Sequence, residues 1–286
     1  MRYVVRSAAC LAFSFYAALN PALAQTANTQ TLSGVEGGHN AIYTDRIPPE
    51  QMVTLDANGD KFQARHIADL SGQPRGAVII LHDSGQHPNW PFTAAALIDD
   101  FPLHGWDTLN IELPVPTLNT AQPATPAPTA TATGVEPQAQ ARINAAIKYF
   151  SDQSQRNIVL IGFGSGAIRA AETLRTIAAA NTAAPGNTSP ISALVIIAPQ
   201  QQLSGIEMDL PKLLPLTGAP ALDVTLDSEP QERIEAEARR RAVLHQRTRI
   251  YTRLELPPIN NASDAQHSAM VKRVRAWLQV NAQAAH

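Results

Sequence analysis

Cysteine is nearly absent. Cys10 is the only one in 286 residues, and it stands inside an N-terminal segment that carries the marks of removal. The mature protein is therefore expected to have no disulfide, no thiol nucleophile and no cysteine metal site. Charge bias is also missing: 22 Lys and Arg against 24 Asp and Glu leave a formal charge of −2. With no long basic or acidic run, nothing favours nucleic acid as a partner. No internal repeat is evident. Long apolar runs are missing too. The uncharged stretch Ser7–Leu23 is broken by Asn20 and Pro21, well short of the ~20 residues a membrane span needs.

What the first residues do have is export chemistry. Arg2 and Arg6 make a short positive region, the uncharged stretch follows, and Ala22-Leu23-Ala24 supplies a small-x-small cleavage pattern. Residues 1–24 read as a signal peptide with Gln25 as the mature N-terminus, which predicts a periplasmic or secreted protein without a stable membrane span after signal removal. A lipid-attached form is disfavoured, because Ser7 stands where the signal before Cys10 would carry a large apolar residue. The remaining chain, 44% hydrophobic and 16% charged overall, suits one large domain with a real core.

Residues 25–48 are polar and read as a flexible leader; 49–286 read as a single domain. MVTL (52–55) and KFQARHIA (61–68) flank Asn58-Gly59, a hairpin signal because both residues tolerate positive φ. AVIILH (77–82) is a β-branched run of buried parallel-strand type. A helical pattern over 92–105, ending at Gly105, leads to the strand WDTLNIELP (106–114). The stretch 115–134 is mostly Pro, Ala and Thr without aromatics, and is expected to stay a disordered insertion. A helix at about 136–153, the strand NIVLIG and a glycine turn follow. Then come a helix at about 166–180, a loose loop AANTAAPGNTSP, the strand ISALVIIAP (191–199) and a Leu- and Pro-rich connection. PALDVTLD (220–227), a charged helix at about 229–246, TRIYTRLEL (248–256) and a closing helix over 268–282 complete the chain. Strands alternating with helices after a hairpin predict an α/β fold: a mainly parallel sheet, an N-terminal antiparallel hairpin and helices on both faces.

The glycine turn IGFGSG (161–166) lies between a strand and a helix, where open α/β sheets bind ligands. Gly162, Gly164 and Ala167 fit only the loosest form of a dinucleotide fingerprint. The acidic residue that motif requires is absent from the next strand, which ends Ala198-Pro199-Gln200. No cofactor is expected. The turn is also one substitution from a nucleophile elbow, G-x-S-x-G, but Gly164 holds the central place and Ser165 comes one position late. Ser165 is either a displaced nucleophile or a residue that caps the helix or bonds locally.

The order of elements resembles the α/β-hydrolase fold over nearly the whole mature chain. More narrowly, LHDSGQHPNWP (81–91), Gly105-Trp106, GFGSGA (162–167) and RVRAWL (273–278) are similar to an uncharacterised family of exported bacterial α/β-hydrolase-like proteins, domain-of-unknown-function family 3530. The resemblance implies positions for a site. A hydrolase would carry its nucleophile at Gly164, and the N–H of Ser165 would help to bind an oxyanion. An oxyanion loop would follow AVIILH, where His82, Asp83, Ser84 and Gly85 stand, with His87 and Trp90 beside them. Its backbone N–H groups either hold a carbonyl oxygen or are satisfied by the loop's own side chains. His82, His87 and Asp83 have no spacing that fixes a ligand geometry, so no metal is expected.

The acid of a triad would lie after PALDVTLD, at Asp227 with Glu229 as substitute. Asp227 is equally placed to be a helix N-cap, and Asp223 lies within the strand, facing a buried partner or the sheet edge. The base would be His267, before the closing helix. Ser165, Asp227 and His267 keep the Ser-Asp-His order. The sequence thus predicts an exported protein with a degenerate nucleophile elbow, little or no serine hydrolase activity and a cleft retained for an envelope ligand or partner. The alternative is an esterase or amidase using Ser165, His267 and Asp227 on a small-molecule ester.

Overall fold

A computed structural model of the chain describes residues 47–84, 86, 94–114, 134–184, 189–203, 208–226, 230–244, 250–257 and 264–282, with side chains from 268 onward in the last segment. All of them fall in the unit Thr31–His286. The signal peptide, the leader up to 46 and the insertion as far as 133 lie outside the described residues.

The chain opens with the hairpin β1 (Met52–Ala57) and β2 (Asp60–Ile67). Asn58 and Gly59 both have positive φ, 60° and 91°, and the Gly59 N–H donates to Asp56 Oδ1 at 2.6 Å. Two left-handed residues match the twist of the flanking strands. Then follow β3 (Gly76–Leu81), α1 (Ala94–Asp100), β4 (Trp106–Ile111), α2 (Val135–Asp152), β5 (Ile158–Phe163) and α3 (Ser165–Ala183). The last part comprises β6 (Ile191–Ile197), α4 (Leu210–Leu213), β7 (Ala221–Leu226), α5 (Pro230–Leu244), β8 (Tyr251–Leu256) and α6 (Asp264–Asn281).

The eight strands form one sheet in the order β1-β2-β4-β3-β5-β6-β7-β8. β1 and β2 pair antiparallel, as do β2 and β4; every later pair is parallel. β3 and β5 are buried at every residue, which is why both read as unbroken apolar runs. Their side chains alternate between two cores. Ile79 and Leu81 join Ile143 and Phe150 of α2 and Ile168 and Leu174 of α3 on one face. Val78 and Ile80 join Leu97 and Ile98 of α1 and Val274 and Leu278 of α6 on the other. Truncating any of these Leu, Ile or Phe side chains to alanine should cost about 2–5 kcal/mol.

Several boundaries differ from the pattern reading. α3 runs three residues beyond 180, because Asn181 and Thr182 extend an Ala-rich turn and the Thr182 hydroxyl donates to Ala178 O at 2.9 Å. The Leu- and Pro-rich connection contains α4 and a 3-10 turn, Leu214–Leu216. Here Leu210, Leu213 and Leu214 are buried, and packing rather than propensity makes the helix. α6 begins at Asp264, so His267 lies in its first turn rather than before it.

Candidate functional site

The C-terminal ends of β3 and β5 lie side by side, with Leu81 opposite Gly162, and this register brings the two sequence motifs together. At the end of β5 the chain turns into α3 through Gly164, with φ 51° and ψ −115°. That backbone costs a residue with a Cβ roughly 1–3 kcal/mol. The turn is clamped from β6: the Gly164 N–H donates to Ile197 O at 3.1 Å and the Gln200 N–H donates to Gly164 O at 3.1 Å. Gly162 lies against the backbone of Ala167, and Gly166 against the carbonyls of Leu81 and His82, so neither has room for a side chain.

What stands over Gly164 is the Asp83 carboxylate. A Cβ on Gly164 would overlap Cγ and both carboxylate oxygens of Asp83. Asp83 Oδ1 accepts from the Ser165 N–H at 2.7 Å, from its neighbour's N–H, Ser84, at 2.8 Å, and from Gln200 Nε2 at 3.2 Å. Two backbone N–H groups and a side-chain amide thus converge on one oxygen, as donors do in a pocket that holds a negative charge.

Ser165 is fully buried and opens α3. Its hydroxyl reaches across to the β3 loop. Ser165 Oγ accepts from the Ser84 N–H at 2.8 Å and from Arg169 Nη1 at 3.4 Å, and it lies 2.8 Å from Ser84 Oγ. With two donors on its lone pairs, its own proton is directed at the Ser84 oxygen. Arg169, itself 2% exposed, is held in place by the Glu136 carboxylate of α2, with Nε to Oε2 at 2.8 Å and Nη2 to Oε1 at 2.5 Å.

His82 is buried beneath the loop. Its Nε2 accepts from the Leu113 N–H at 3.0 Å and its Nδ1 lies 2.8 Å from Asp83 O. Because Nε2 accepts, the ring proton is on Nδ1 and is donated to that carbonyl. His82 is therefore a tie between the ends of β3 and β4 that fixes the backbone of Asp83.

The sequence reading named twelve positions here. The structure brings Gly164, Ser165, His82, Asp83 and Ser84 together. Gly85, His87, Trp90 and Asp227 lie outside the described residues, as does Glu229, and for His267 only the backbone is described. Asp223 meets a buried partner: Arg239 of α5 donates to it with Nε to Oδ2 at 2.7 Å and Nη2 to Oδ1 at 3.1 Å, and the Tyr251 hydroxyl donates to Oδ2 at 2.5 Å. Burial alone would lower the Arg239 pKa, but the Asp223 carboxylate outweighs it and raises it above its ordinary value. Burial and the same carboxylate push the Tyr251 phenol far up. Arg169, Glu136 and Gln200 are site residues that sequence reasoning did not single out. The only signals were a cation four residues after Ser165, one helical turn on, and a polar side chain just past the end of β6.

The family of proteins of unknown function DUF3530 matches residues 4–141 and 122–280. The chain belongs to this family. No curated protein matches the DUF3530 chain. Among solved structures it is similar to a dienelactone hydrolase from Anabaena variabilis, with a TM-score of 0.59 and 13% identity over 81% of this chain and 97% of that one. A lipase/esterase from Lactobacillus plantarum gives a TM-score of 0.56 and 15% identity, over 80% and 96% of the two chains. Est1E from Butyrivibrio proteoclasticus, solved with ferulic acid bound, gives 0.57 and 12%, over 80% and 98%. At these identities the likeness establishes the fold, which is that of the α/β-hydrolases.

Proposed function

We propose that this DUF3530 protein is exported to the cell envelope and has little or no serine hydrolase activity, keeping its cleft for binding a ligand or partner there. One observation carries the reading: the Asp83 carboxylate fills the space of a side chain on Gly164 and takes up the Ser165 N–H. A serine nucleophile needs both that apex and that donor, since the apex supplies the attacking oxygen and the N–H holds the developing oxyanion. The buried Ser165 hydroxyl, with Ser84 N–H and Arg169 on its lone pairs, is poorly placed to substitute. Among the described residues no helix is long and apolar enough to cross a membrane.

The alternative is an esterase or amidase in which Ser165 attacks, His267 is the base and Asp227 orients it. It is favoured by the esterase fold of the structural neighbours. Treating the mature protein with a fluorophosphonate probe separates the two. No labelling of Ser165 or Ser84 is expected. Phosphonylation of Ser165 that His267→Ala abolishes would overturn the proposal.

A further inference from the structure

Far from the candidate site, the sheet ends at β8. We infer that the outer edge of β8 is a docking surface for a second copy of this chain, which pairs with it antiparallel about a two-fold axis at Leu254 and continues the sheet from one protomer into the next.

The backbone decides which residues are available. The Ala221 N–H donates to Ile250 O at 2.9 Å, and Ala221 stands opposite Tyr251 in the parallel register. Backbone groups alternate in direction along a strand, so Ile250, Thr252, Leu254 and Leu256 turn theirs toward β7. Those of Tyr251, Arg253 and Glu255 point outward and have no hydrogen-bond partner among the described residues. Such an edge is a template for another strand unless something blunts it. Charge of one sign would do so, but here Arg253 and Glu255 have opposite signs, stand two residues apart on one face and pair with each other. Pro257, which has no N–H, only closes the ladder at the end of the strand.

Charge then selects the register. A two-fold ladder must set outward-facing residues opposite one another. Centring it on Arg253 or on Glu255 puts like charges face to face, which is unfavourable. Centring it on Thr252 puts Arg253 opposite Tyr251 and carries Glu255 beyond the strand. Centring it on Leu254 sets Arg253 opposite Glu255 of the second copy and Glu255 opposite its Arg253. Each of these pairs exchanges both backbone bonds and matches opposite charges. Leu254 then meets its own copy at a non-hydrogen-bonded pair, where side chains come closest. The contact is isologous and closes at a dimer.

The flanks fit the same partner. The axis stands perpendicular to the sheet, so α5 of each copy lies on the same face beside the joint. Glu237 Oε2 lies 3.8 Å from Arg253 Nη1, so the Glu237 side of α5 borders the edge. Ile234, one turn earlier, and Leu244, two turns later, share that side and are 64% and 59% exposed; Ile250, which leads into β8, is 52% exposed. Large apolar side chains gathered beside one unpaired edge mark a contact surface. On the opposite face Leu254 and Trp277 are only partly buried, and the Trp277 indole is fixed by its Nε1, which donates to Thr252 Oγ1 at 2.9 Å.

The test is analytical ultracentrifugation of the purified mature protein at about 1 to 100 μM chain. A dimer is expected, and a monomer throughout overturns the inference. Glu255→Arg and Arg253→Glu each set like charges across the axis, so each variant alone should dimerise at least about tenfold more weakly. Mixed in equal amounts they should associate as tightly as the unaltered chain, because one then offers two arginines and the other two glutamates. An intrachain role for these charges gives no such rescue, so a mixture that stays monomeric overturns the inference, as does undiminished dimerisation of either variant alone. A second variant decides the matter even if the charge reversals do not fold. Cys10 is the only cysteine of the chain, so mature Leu254→Cys carries a single thiol. Opposed Cα atoms at a non-hydrogen-bonded pair lie about 4.5 Å apart, within disulfide reach, and mild oxidation should link Leu254→Cys into dimers at least about tenfold faster than Val280→Cys, an exposed position on α6. Linkage no faster than at Val280 overturns the inference.

Discussion

Gly164 and Asp83 are one structural unit although 81 positions separate them. Putting a serine at Gly164 would add the backbone strain of a left-handed φ and force the carboxylate out of its three hydrogen bonds. Because the Asp83 side chain is able to swing, the strand need not move. Gly164→Ser should therefore cost about 2–4 kcal/mol, combining strain with the loss of charge-assisted bonds. Asp83→Gly clears the space, so Gly164→Ser in that background should cost only the strain. A double-mutant cycle by urea denaturation should show coupling above about 1 kcal/mol; additive penalties would mean the two side chains do not compete. Gly166→Ala should be less tolerated than Gly164→Ala, since its new carbon meets the Leu81 and His82 carbonyls rather than a movable side chain. The glycines were legible as a strand-to-helix turn. The carboxylate above them was not, because nothing local connects the loop after β3 to the loop after β5.

Between elements, the buried ion pairs are the firmest ties. Asp223 and Arg239 are both fully buried and join β7 to α5, with Tyr251 of β8 as third member. Removing one partner strands a charge away from water, which is far worse than removing both. Arg239→Met should cost about 3–5 kcal/mol by chemical denaturation, and Asp223→Leu with Arg239→Met should recover most of it. A similar penalty for the double variant would show that the pair adds more than mutual compensation. Glu136 and Arg169 tie α2 to α3 in the same manner, directly behind Ser165. Strand and helix identities were readable from period and composition: β3, β5 and β6 are apolar runs between turn signals, and α2 and α3 repeat their small and apolar residues at helical spacing. The ends of α3 and α6 were less readable. Polar residues near a terminus suit both a loop and a last turn, and neighbouring contacts decide between them.

At the scale of the molecule, two of the described groups give pH a handle on stability. Burial holds the His66 pKa below its ordinary value, and Asp107 opposes this only in part. Its Nε2 has no hydrogen-bond partner among the described residues, and its ring stacks edge-on with Tyr149 and Phe150. The fold binds that proton less well than the unfolded chain does. Its contribution is thus complete above about pH 6.5 and declines as pH falls from there toward the depressed folded value. His66→Gln should flatten the melting temperature between about pH 7 and 5; an unchanged slope would exonerate His66. Arg142 draws the Asp60 pKa down, with Nε to Oδ2 at 2.8 Å. That stability is present above the ordinary carboxylate value and is lost only as pH falls through the lower folded value, so Asp60→Asn should alter only the acid limb. Export is tested by N-terminal sequencing of protein recovered from the envelope, with Gln25 expected first. A retained Met1 would refute cleavage.

The amino-acid pattern by itself determined the alternating α/β architecture, the hairpin at Asn58-Gly59 and a glycine corner between strand and helix, because periodicity, β-branching and positive-φ tolerance act over a few residues. Which side chain occupies that corner was decided only by the tertiary structure. The parallel register of β3 against β5 carries Asp83 over Gly164, and a contact made by strand pairing across the sheet leaves no trace in either segment alone.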